Sequence, residues 1–257
     1  MTKAIIIGAG RGSRLNALTD DQPKCYTPIG GRRILDWTRN AFASAGLAEQ
    51  VFIGGYRIDM IRGDYPELTF CHNADWPNNN ILVSLFHAEP HFAGGFVCTY
   101  SDILFRASVV QEAMRHPGDI VLCVDTDWRQ RYTDRTLHPE QDAEKVTAED
   151  DRVMRIDRHI PSDQAAGEYI GVAKFTDRGA SQLQSCYHNR RTEFAGKPWR
   201  GAERFEKAYL IHLFQDMIEQ GIEINLVTTH GDYMEIDTEE DYDLANVQWP
   251  DRWNDAG

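Results

Sequence analysis

The sequence predicts an α/β fold in which helices cover both faces of a β-sheet. Short apolar runs of strand length alternate with segments of helical periodicity along the first half of the chain. Such alternation is typical of a parallel sheet between two helical layers. The chain has 257 residues, of which 42% are hydrophobic, so it can bury a sizeable core. No internal repeat or low-complexity linker divides it.

Apolar runs and helical stripes place the elements in order. In the first half, strands are predicted at Ala4–Ile7, Val51–Ile53, Leu68–Cys71, Phe96–Thr99 and Ile120–Val124, and helices at Leu35–Ala45, Ile81–Ala88 and Ala107–Met114. In the second half, we predict a long loop over Asp125–Asp142, a hairpin over Glu144–Ile156, a helix over Phe205–Ile218, and strands at Glu168–Phe175, Ile222–Val227 and Tyr233–Ile236. The run Thr238-Glu239-Glu240-Asp241 is a capping box that begins the last helix.

Charge and cysteine usage exclude several classes of function. The formal net charge is −13, from 27 Lys and Arg against 40 Asp and Glu, and so acidic a chain lacks the basic footprint that nucleic acid needs. The 5 cysteines are widely spaced and form no CxxC pair, which predicts reduced thiols in a cytoplasmic protein. We find no secretory segment and no apolar run of about 18 residues, so neither export nor membrane insertion is expected.

The most informative motif is a glycine loop directly after the first predicted strand, Gly8-Ala9-Gly10-Arg11-Gly12-Ser13-Arg14-Leu15. Glycines allow backbone N–H groups to approach a phosphate closely, although a tight turn without a ligand has the same pattern. A dinucleotide fingerprint would need glycine at position 13, and a P-loop would need Gly-Lys-Ser/Thr, which is absent. Arg14 and Lys24 add two cations beside the loop, which suits a triphosphate.

This opening resembles that of the sugar-1-phosphate nucleotidylyltransferases, whose pattern A-G-x-G-x-R-[LM] is followed by P-K and a proline-containing turn. The matching residues are 8–15, Leu18-Thr19, Pro23-Lys24 and Pro28-Ile29. Downstream, residues 76–80, Ser84-Leu85, 100–102, 167–171 and 234–238 resemble the phosphocholine and phosphonate cytidylyltransferase branch of that superfamily. The resemblance covers nearly the whole chain.

The resemblance implies a fold, an activity and a domain organisation. The fold would be a Rossmann-like three-layer α/β/α mixed sheet of the nucleotide-diphospho-sugar transferase type. Residues 1–257 would form a single nucleotidyltransferase domain, with a nucleotide-binding half at 1–125 and an acceptor-binding half with the C-terminal helix at 126–257. The activity would be transfer of CMP from CTP to a small phosphate or phosphonate acceptor, with release of pyrophosphate. A homodimer is left open.

The resemblance also implies roles for individual residues. Lys24 and Arg14 would be catalytic, with Lys24 at the α-phosphate, where charge changes during transfer. Mg²⁺ would be held by Asp102 and Asp237, which follow predicted strands, and by Glu235, which lies in the last of those strands. Capping of the last helix is the structural alternative for Asp237. The nucleotide would contact Ala9, Gly10, Arg11, Gly12, Ser13, Asn79, Asn80 and Ser84. For Asn79 and Asn80, the alternative is a helix N-cap.

The acceptor would contact Asp125, Arg129, Glu168 and Gly171. A cationic head group would favour aromatic faces, for which Trp76, Trp128 and Trp199 are candidates. Arg129 and Arg131 suit a phosphonate or carboxylate, and Lys145 and Lys174 are further cationic candidates. The sequence therefore permits phosphocholine, an aminoalkyl- or hydroxyalkylphosphonate, or an amino-acid phosphate.

Other functions were weighed on the same residues. A hexose-1-phosphate nucleotidylyltransferase using UTP or dTTP is disfavoured because Asn78–Asn80 stand where hexose enzymes usually have a glycine-rich segment. A non-catalytic nucleotide-binding protein is disfavoured because Arg14, Lys24 and the carboxylates are all present. Pro90 interrupts the His87–His91 pair, which excludes a helical zinc motif, and no Gly-x-Ser-x-Gly elbow occurs.

Overall fold

The computed structural model describes residues 1–133 and 135–254, apart from the side chains of Ser13, Asn16, Ala17 and residues 251–254. The strands in this part of the chain are β1 Lys3–Gly8, β2 Pro28–Ile29, β3 Arg32–Arg33, β4 Gln50–Gly54, β5 Thr69–His72, β6 Phe96–Tyr100, β7 Ile103–Phe105, β8 Ile120–Asp125, β9 Lys145–Glu149, β10 Arg152–Ile156, β11 Gly167–Phe175, β12 Asn225–Thr229 and β13 Tyr233–Glu235. The α-helices are α1 Ile34–Ser44, α2 Ile58–Asp64, α3 Ile81–Phe86, α4 Ala107–Arg115, α5 Trp128–Thr133, α6 Asp177–Phe194, α7 Leu210–Glu219 and α8 Glu239–Asn254.

Nine of the strands form one mixed sheet in the order β5-β4-β1-β6-β11-β8-β12-β10-β9. The neighbours β5, β4, β1 and β6 are parallel, and β12 is parallel to β8. Strand β11 runs antiparallel between β6 and β8, and its first residues also pair with β9. The reversal of β11 makes the sheet mixed, as the resemblance implies, whereas the alternation in the first half predicts only the parallel part.

Alternation along the buried strands divides the core between the two faces of the sheet. In β1, Ile5 and Ile7 belong to one apolar cluster, to which α3, α6 and α7 contribute. Ala4 and Ile6 belong to a second cluster, to which α1, α2 and α4 contribute. Because successive strand residues point to opposite faces, one strand supports both layers, and the predicted three-layer architecture is confirmed.

A smaller apolar cluster attaches α8 beside the sheet. Trp249 of α8 is fully buried with Trp37 of α1 and with Ile236, which follows β13. The same cluster contains Leu15 and Ile29, which flank the segment carrying Lys24. This packing brings the glycine loop close to the strand end at 235–237.

The structure differs from the sequence predictions at three elements. Helix α6 was not predicted, because only one narrow stripe of it is buried, including Leu183 and Tyr187. The predicted helix from Phe205 begins as an α-helix only at Leu210, after a 3₁₀ turn. The predicted loop at 125–142 contains α5 and a second 3₁₀ turn. Within the described part of the chain, no helix combines the length and apolarity needed to cross a bilayer.

Candidate active site

A cleft of about 580 Å³ opens at the edge of the sheet where β1 and β6 end. Ligands of α/β sheets bind at this carboxyl edge. The cleft is lined by Ile7, Gly8, Ala9, Gly10, Gly12, Arg14, Lys24, Trp76, Asn79, Asn80, Ile81, Ser84, Tyr100, Ser101, Asp102, His138, Asp142, Glu144, Arg158, Tyr209, Glu235 and Asp237. It therefore draws residues from both halves of the chain.

Lys24 lies in the cleft between two carboxylates. Its Nζ is 2.7 Å from Asp102 Oδ2 and also donates a hydrogen bond to Asp237. The side chain is only 8% exposed. Burial alone would lower the pKa of Lys24, but Asp102 and Asp237 outweigh it and raise that pKa above its usual value. Lys24 is therefore a permanent cation held in the cleft.

Asp237 is shared by two cations. Arg14 donates a hydrogen bond to Asp237 over 2.5 Å, beside the contact from Lys24. Burial alone would raise the pKa of Asp237, but these two cations hold it well below the usual range. The predicted capping box is confirmed, because Asp241 Oδ2 accepts a hydrogen bond from Thr238 N at 2.8 Å and Thr238 Oγ1 accepts one from Asp241 N at 3.2 Å. Asp237 N also donates to Asp241 Oδ2, at 3.0 Å. The Asp237 side chain is thus left to face Lys24 and Arg14.

The glycine loop forms one wall of the cleft. Gly12 has a φ of +72°, a region that glycine occupies without strain. Ala9, Gly10 and Gly12 line the cleft, whereas Arg11 points away and pairs with Asp20 over 2.7 Å. A seven-residue 3₁₀ helix follows at Ser13–Thr19; the predicted contact of the Ser13 side chain lies outside the described residues.

An amide network forms another wall of the cleft. The buried side chain of Asn73 donates hydrogen bonds to Asn79 Oδ1 at 2.8 Å and to Ser84 Oγ at 3.0 Å. Asn79 Nδ2 donates back to Asn73 Oδ1 at 3.0 Å. Asn80 caps α3 through its Oδ1, which accepts from Ile81 N at 2.8 Å. Asn80 is thus both a helix cap and a lining residue, so the two interpretations of that residue are compatible.

Two carboxylates and one imidazole cluster beside Lys24, and a third carboxylate, that of Asp102, shares the Lys24 ammonium group with Asp237. Ligand atoms of His138, Glu235 and Asp237 all lie within 4.8 Å of one another. Asp102 Oδ1 is buried and has no hydrogen-bond partner among the described residues. Burial, together with the charges of Asp237 and Asp102, raises the pKa of Glu235 well above its usual value. The carboxylates of this group outnumber the cations that contact them. A divalent cation, which prefers oxygen ligands, therefore fits the site.

The structure does not bring the four predicted acceptor residues to the lining of the cleft. Asp125 and Glu168 are buried and both pair with Arg131. Arg129 is exposed beside the Trp128 ring. Gly171 lies behind the lining, because a Cβ there would come within 2.6 Å of the Tyr100 ring.

The other acceptor candidates are three tryptophans and two lysines, and one of these five residues lines the cleft. Trp76 lines the cleft, whereas Trp128 and Trp199 are buried elsewhere. The Nζ groups of Lys145 and Lys174 donate to backbone carbonyl groups outside the cleft.

Sequence reasoning missed a second group of lining residues, namely Tyr100, His138, Glu144, Arg158 and Tyr209. Tyr100 Oη donates to Glu144 Oε2 over 3.1 Å, and Arg158 donates to Glu144 Oε1 over 3.1 Å. The Arg158 guanidinium lies 4.0 Å from the centre of the Tyr209 ring. Tyr100 belongs to one of the matched segments, but no local signal marks the others.

Comparisons with known proteins show the family and the fold. The model of the MobA-like NTP transferase domain matches residues 4–184. The chain is 27% identical over 253 residues to a CTP:phosphoglutamine cytidylyltransferase of Campylobacter jejuni, covering 94% of this chain and 98% of that protein. Its fold is similar to an inositol-1-phosphate CTP transferase from T. maritima, with a TM-score of 0.73, 22% identity and 95% of each chain covered. It is also similar to a CTP:phosphocholine cytidylyltransferase of Streptococcus pneumoniae, with a TM-score of 0.71, 17% identity, and 96% and 98% of the chains covered.

Proposed function

The chain belongs to the MobA-like NTP transferase domain family, and we propose that it is a cytidylyltransferase that transfers CMP from CTP to a small phosphate or phosphonate acceptor. The observation that carries this proposal is the position of Lys24, bound between Asp102 and Asp237 in a cleft bordered by the glycine loop. A buried cation between carboxylates at the carboxyl edge of the sheet suits the centre of a phosphoryl-type transfer, because such reactions depend on positioning and charge neutralisation.

The reaction joins two anions. An oxygen of the acceptor phosphate or phosphonate attacks the α-phosphorus of CTP, and the bond from that phosphorus to the bridging oxygen of pyrophosphate breaks. Lys24 stabilises the charge that develops around the α-phosphate. Backbone N–H groups of Gly10 and Gly12, with Arg14, bind the β- and γ-phosphates.

Mg²⁺ is the cation we propose for the carboxylate cluster. Asp102, Glu235 and Asp237 would hold it, because hard oxygen donors are the ligands that Mg²⁺ prefers, and the unpartnered Asp102 Oδ1 supports this assignment. When bound, the cation supplies positive charge to the phosphate oxygens. His138, whose Nε2 is 3.6 Å from Glu235 Oε2, would orient that carboxylate.

The amide wall supports a role in base recognition. Cytosine presents an amino donor together with ring and carbonyl acceptors, and an amide side chain can match both kinds. Asn73 holds Asn79 and Ser84 in fixed orientations. We propose that Asn79, Asn80 and Ser84 contact the nucleoside and favour CTP over the other nucleotides, as the names of the relatives suggest.

A pyrophosphate-release screen tests the proposal. The purified protein would be assayed with each of the four NTPs and Mg²⁺, together with phosphocholine, 2-aminoethylphosphonate, a hydroxyalkylphosphonate, an amino-acid phosphate, glycerol phosphate and hexose 1-phosphates. We expect release with CTP and a small phosphate or phosphonate. Release only with UTP or dTTP and a hexose 1-phosphate would establish the alternative enzyme, and nucleotide binding without release under every condition would overturn the assignment as an enzyme.

A further inference from the structure

The group formed by Tyr100, Glu144, Arg158 and Tyr209 lies at the end of the cleft away from the glycine loop. The loop follows β1, Tyr100 ends β6, and β11 comes next in the sheet. Glu144 directly precedes β9, which pairs with the first residues of β11. The order along the edge of the sheet is therefore glycine loop, Tyr100, β11 and then Glu144. With the triphosphate at the loop, this far end is left for the acceptor.

Glu144 already has a cationic partner in Arg158. It is buried, and both of its oxygens are used, Oε1 by Arg158 and Oε2 by the Tyr100 hydroxyl, each at 3.1 Å. A pocket for quaternary ammonium would need a carboxylate with uncompensated charge and an accessible aromatic face. Here Glu144 is already paired with Arg158, so this end of the cleft has no excess negative charge for a quaternary ammonium group.

The aromatic face is also engaged. The Arg158 guanidinium lies 4.0 Å from the centre of the Tyr209 ring, a distance at which a cation–π interaction forms. A trimethylammonium group on that face would have to displace an arginine. These contacts at Glu144 and Tyr209 disfavour choline as the acceptor head group.

Arg158 itself retains hydrogen-bonding capacity. Its side chain is 30% exposed, and only its Nη2 has a hydrogen bond to a described residue, to Glu144. A guanidinium carries five N–H donors in a planar fork that matches a carboxylate. The cleft thus presents unused donors of a fixed cation at its acceptor end.

We infer that the acceptor carries a carboxylate in addition to its phosphate or phosphonate, and that Arg158 binds this carboxylate and determines acceptor specificity. The inference rests on the proposed function, because it names the substrate class of the same cleft. The acceptor is accordingly a phosphorylated amino acid or another carboxylated phosphate or phosphonate, rather than a choline-type compound.

Two matched pairs of acceptors isolate the carboxylate. O-phosphoserine and phosphoethanolamine differ only in that group, and so do 2-amino-3-phosphonopropanoate and 2-aminoethylphosphonate. With CTP and Mg²⁺, we expect kcat/KM to be about 10- to 100-fold higher for the carboxylated member, the scale of one charge-assisted hydrogen bond. Equal values within both pairs, or a preference for phosphocholine, would overturn the inference while leaving the proposed function standing. No pyrophosphate release with any acceptor would count against the proposed function itself.

Substitution of Arg158 tests the assigned residue. In Arg158→Gln the preference within each pair should fall to about 1, with KM for CTP unchanged, and Arg158→Lys should restore part of it. Arg155→Gln is the matched control: Arg155 pairs with Asp157 and does not line the cleft, so its preference should equal that of the wild type. If Arg158→Gln slowed both members of a pair equally, Arg158 would bind the attacking phosphate and the inference would be wrong.

A second variant tests the role of Arg158 without replacing Arg158 itself. Glu144→Gln keeps one acceptor oxygen for Arg158, and its amide NH2 can donate to the Tyr100 hydroxyl oxygen, while the charge that competes for the guanidinium is removed. We expect the preference for O-phosphoserine over phosphoethanolamine to persist or increase. Its loss in Glu144→Gln would mean that Glu144, rather than Arg158, selects the acceptor.

Discussion

Gly12 lies directly against the aliphatic part of Lys24. A Cβ at position 12 would come within 2.6 Å of Lys24 Cδ and 2.8 Å of Lys24 Cβ and Cγ. The left-handed φ of +72° at Gly12 is a second, independent reason for glycine there. The loop therefore does more than expose N–H groups, because its close approach fixes the stem whose ammonium group contacts Asp102 and Asp237.

This contact predicts a large kinetic effect of Gly12→Ala. The methyl group would displace Lys24, and a misplacement of about 1 Å in a reacting site costs on the order of 100-fold in rate. We expect kcat/KM for pyrophosphate release to fall by about that factor. Gly46→Ala is the control, since Gly46 has a φ of +87° and a Cβ added there would meet no atom within 4 Å. This variant should lose about 1 kcal/mol of stability through backbone strain and keep its activity. Similar kinetics in both variants would contradict the role of the contact.

Lys24→Ala should abolish measurable transfer. It removes the cation that stabilises charge at the α-phosphate, an effect of about 10²- to 10³-fold or more. It also leaves Asp102 and Asp237 without their shared partner, so thermal unfolding should occur at lower temperature. Lys174→Ala is the matched control, because Lys174 Nζ donates to the carbonyl oxygens of Gly118 and His116, at 2.6 and 2.9 Å, outside the cleft. That variant should lose stability but keep kcat. Full activity in folded Lys24→Ala protein would overturn the proposed mechanism.

The centre of the site could be predicted because each part carries a local signal. Lys24 follows the glycine loop, Asp102 follows a buried strand, and Asp237 precedes a capping box. Asp102 reaches the site because parallel strands bring their carboxyl ends to one edge of a sheet. Asp237 reaches it differently, because it follows β13, which pairs antiparallel with β7 outside the nine-stranded sheet. Local patterns therefore identify the three residues, but the topology rule accounts for the position of Asp102 alone.

The acceptor end could not be predicted in this way. Glu144 and Arg158 flank a hairpin whose position depends on the reversal of β11 and its pairing with β9, which are non-local contacts. Asp125 had the local signal of a site residue, a carboxylate at a strand end, and so did Glu168 within a matched segment. Arg131, whose side chain on the short helix α5 is only 10% exposed, pairs with both. A sequence shows where a carboxylate stands along a strand but not which cation it pairs with.

The buried imidazole of His212 predicts a pH dependence of stability. Burial, together with the charges of Arg158 and Arg200, lowers the pKa of His212 to about 4. Neutral His212 accepts a hydrogen bond at Nδ1 from Tyr209 N over 3.3 Å, which caps α7. Because the folded pKa lies below the unfolded value of about 6.5, the stabilisation is complete above that value. It is lost as pH falls towards 4, by up to about 3 kcal/mol.

His212→Gln should flatten this profile. Glutamine is a favoured residue at the third position of a helix, where it accepts the same capping hydrogen bond without titrating. Urea unfolding between pH 7 and pH 4 measures the free energy of unfolding in both proteins. We expect the wild type to lose more stability than the variant over this range, and parallel profiles would show that His212 does not set the pH dependence.

Asp102→Asn should lower the apparent affinity of the enzyme for Mg²⁺. The substitution removes one charged oxygen from the proposed cation site, so the Mg²⁺ concentration for half-maximal pyrophosphate release should rise by about 10-fold or more. Asp216→Asn is the matched control, because Asp216 is a buried carboxylate that pairs with Arg190 and Arg200 away from the cleft. It should lower thermal stability and leave the Mg²⁺ requirement unchanged.

A substrate-free measurement separates the two effects: Mg²⁺ should raise the unfolding temperature of wild-type and Asp216→Asn protein but not of Asp102→Asn. If all three proteins gained equally, the cation would bind elsewhere, and Asp102 Oδ1 would need a different partner.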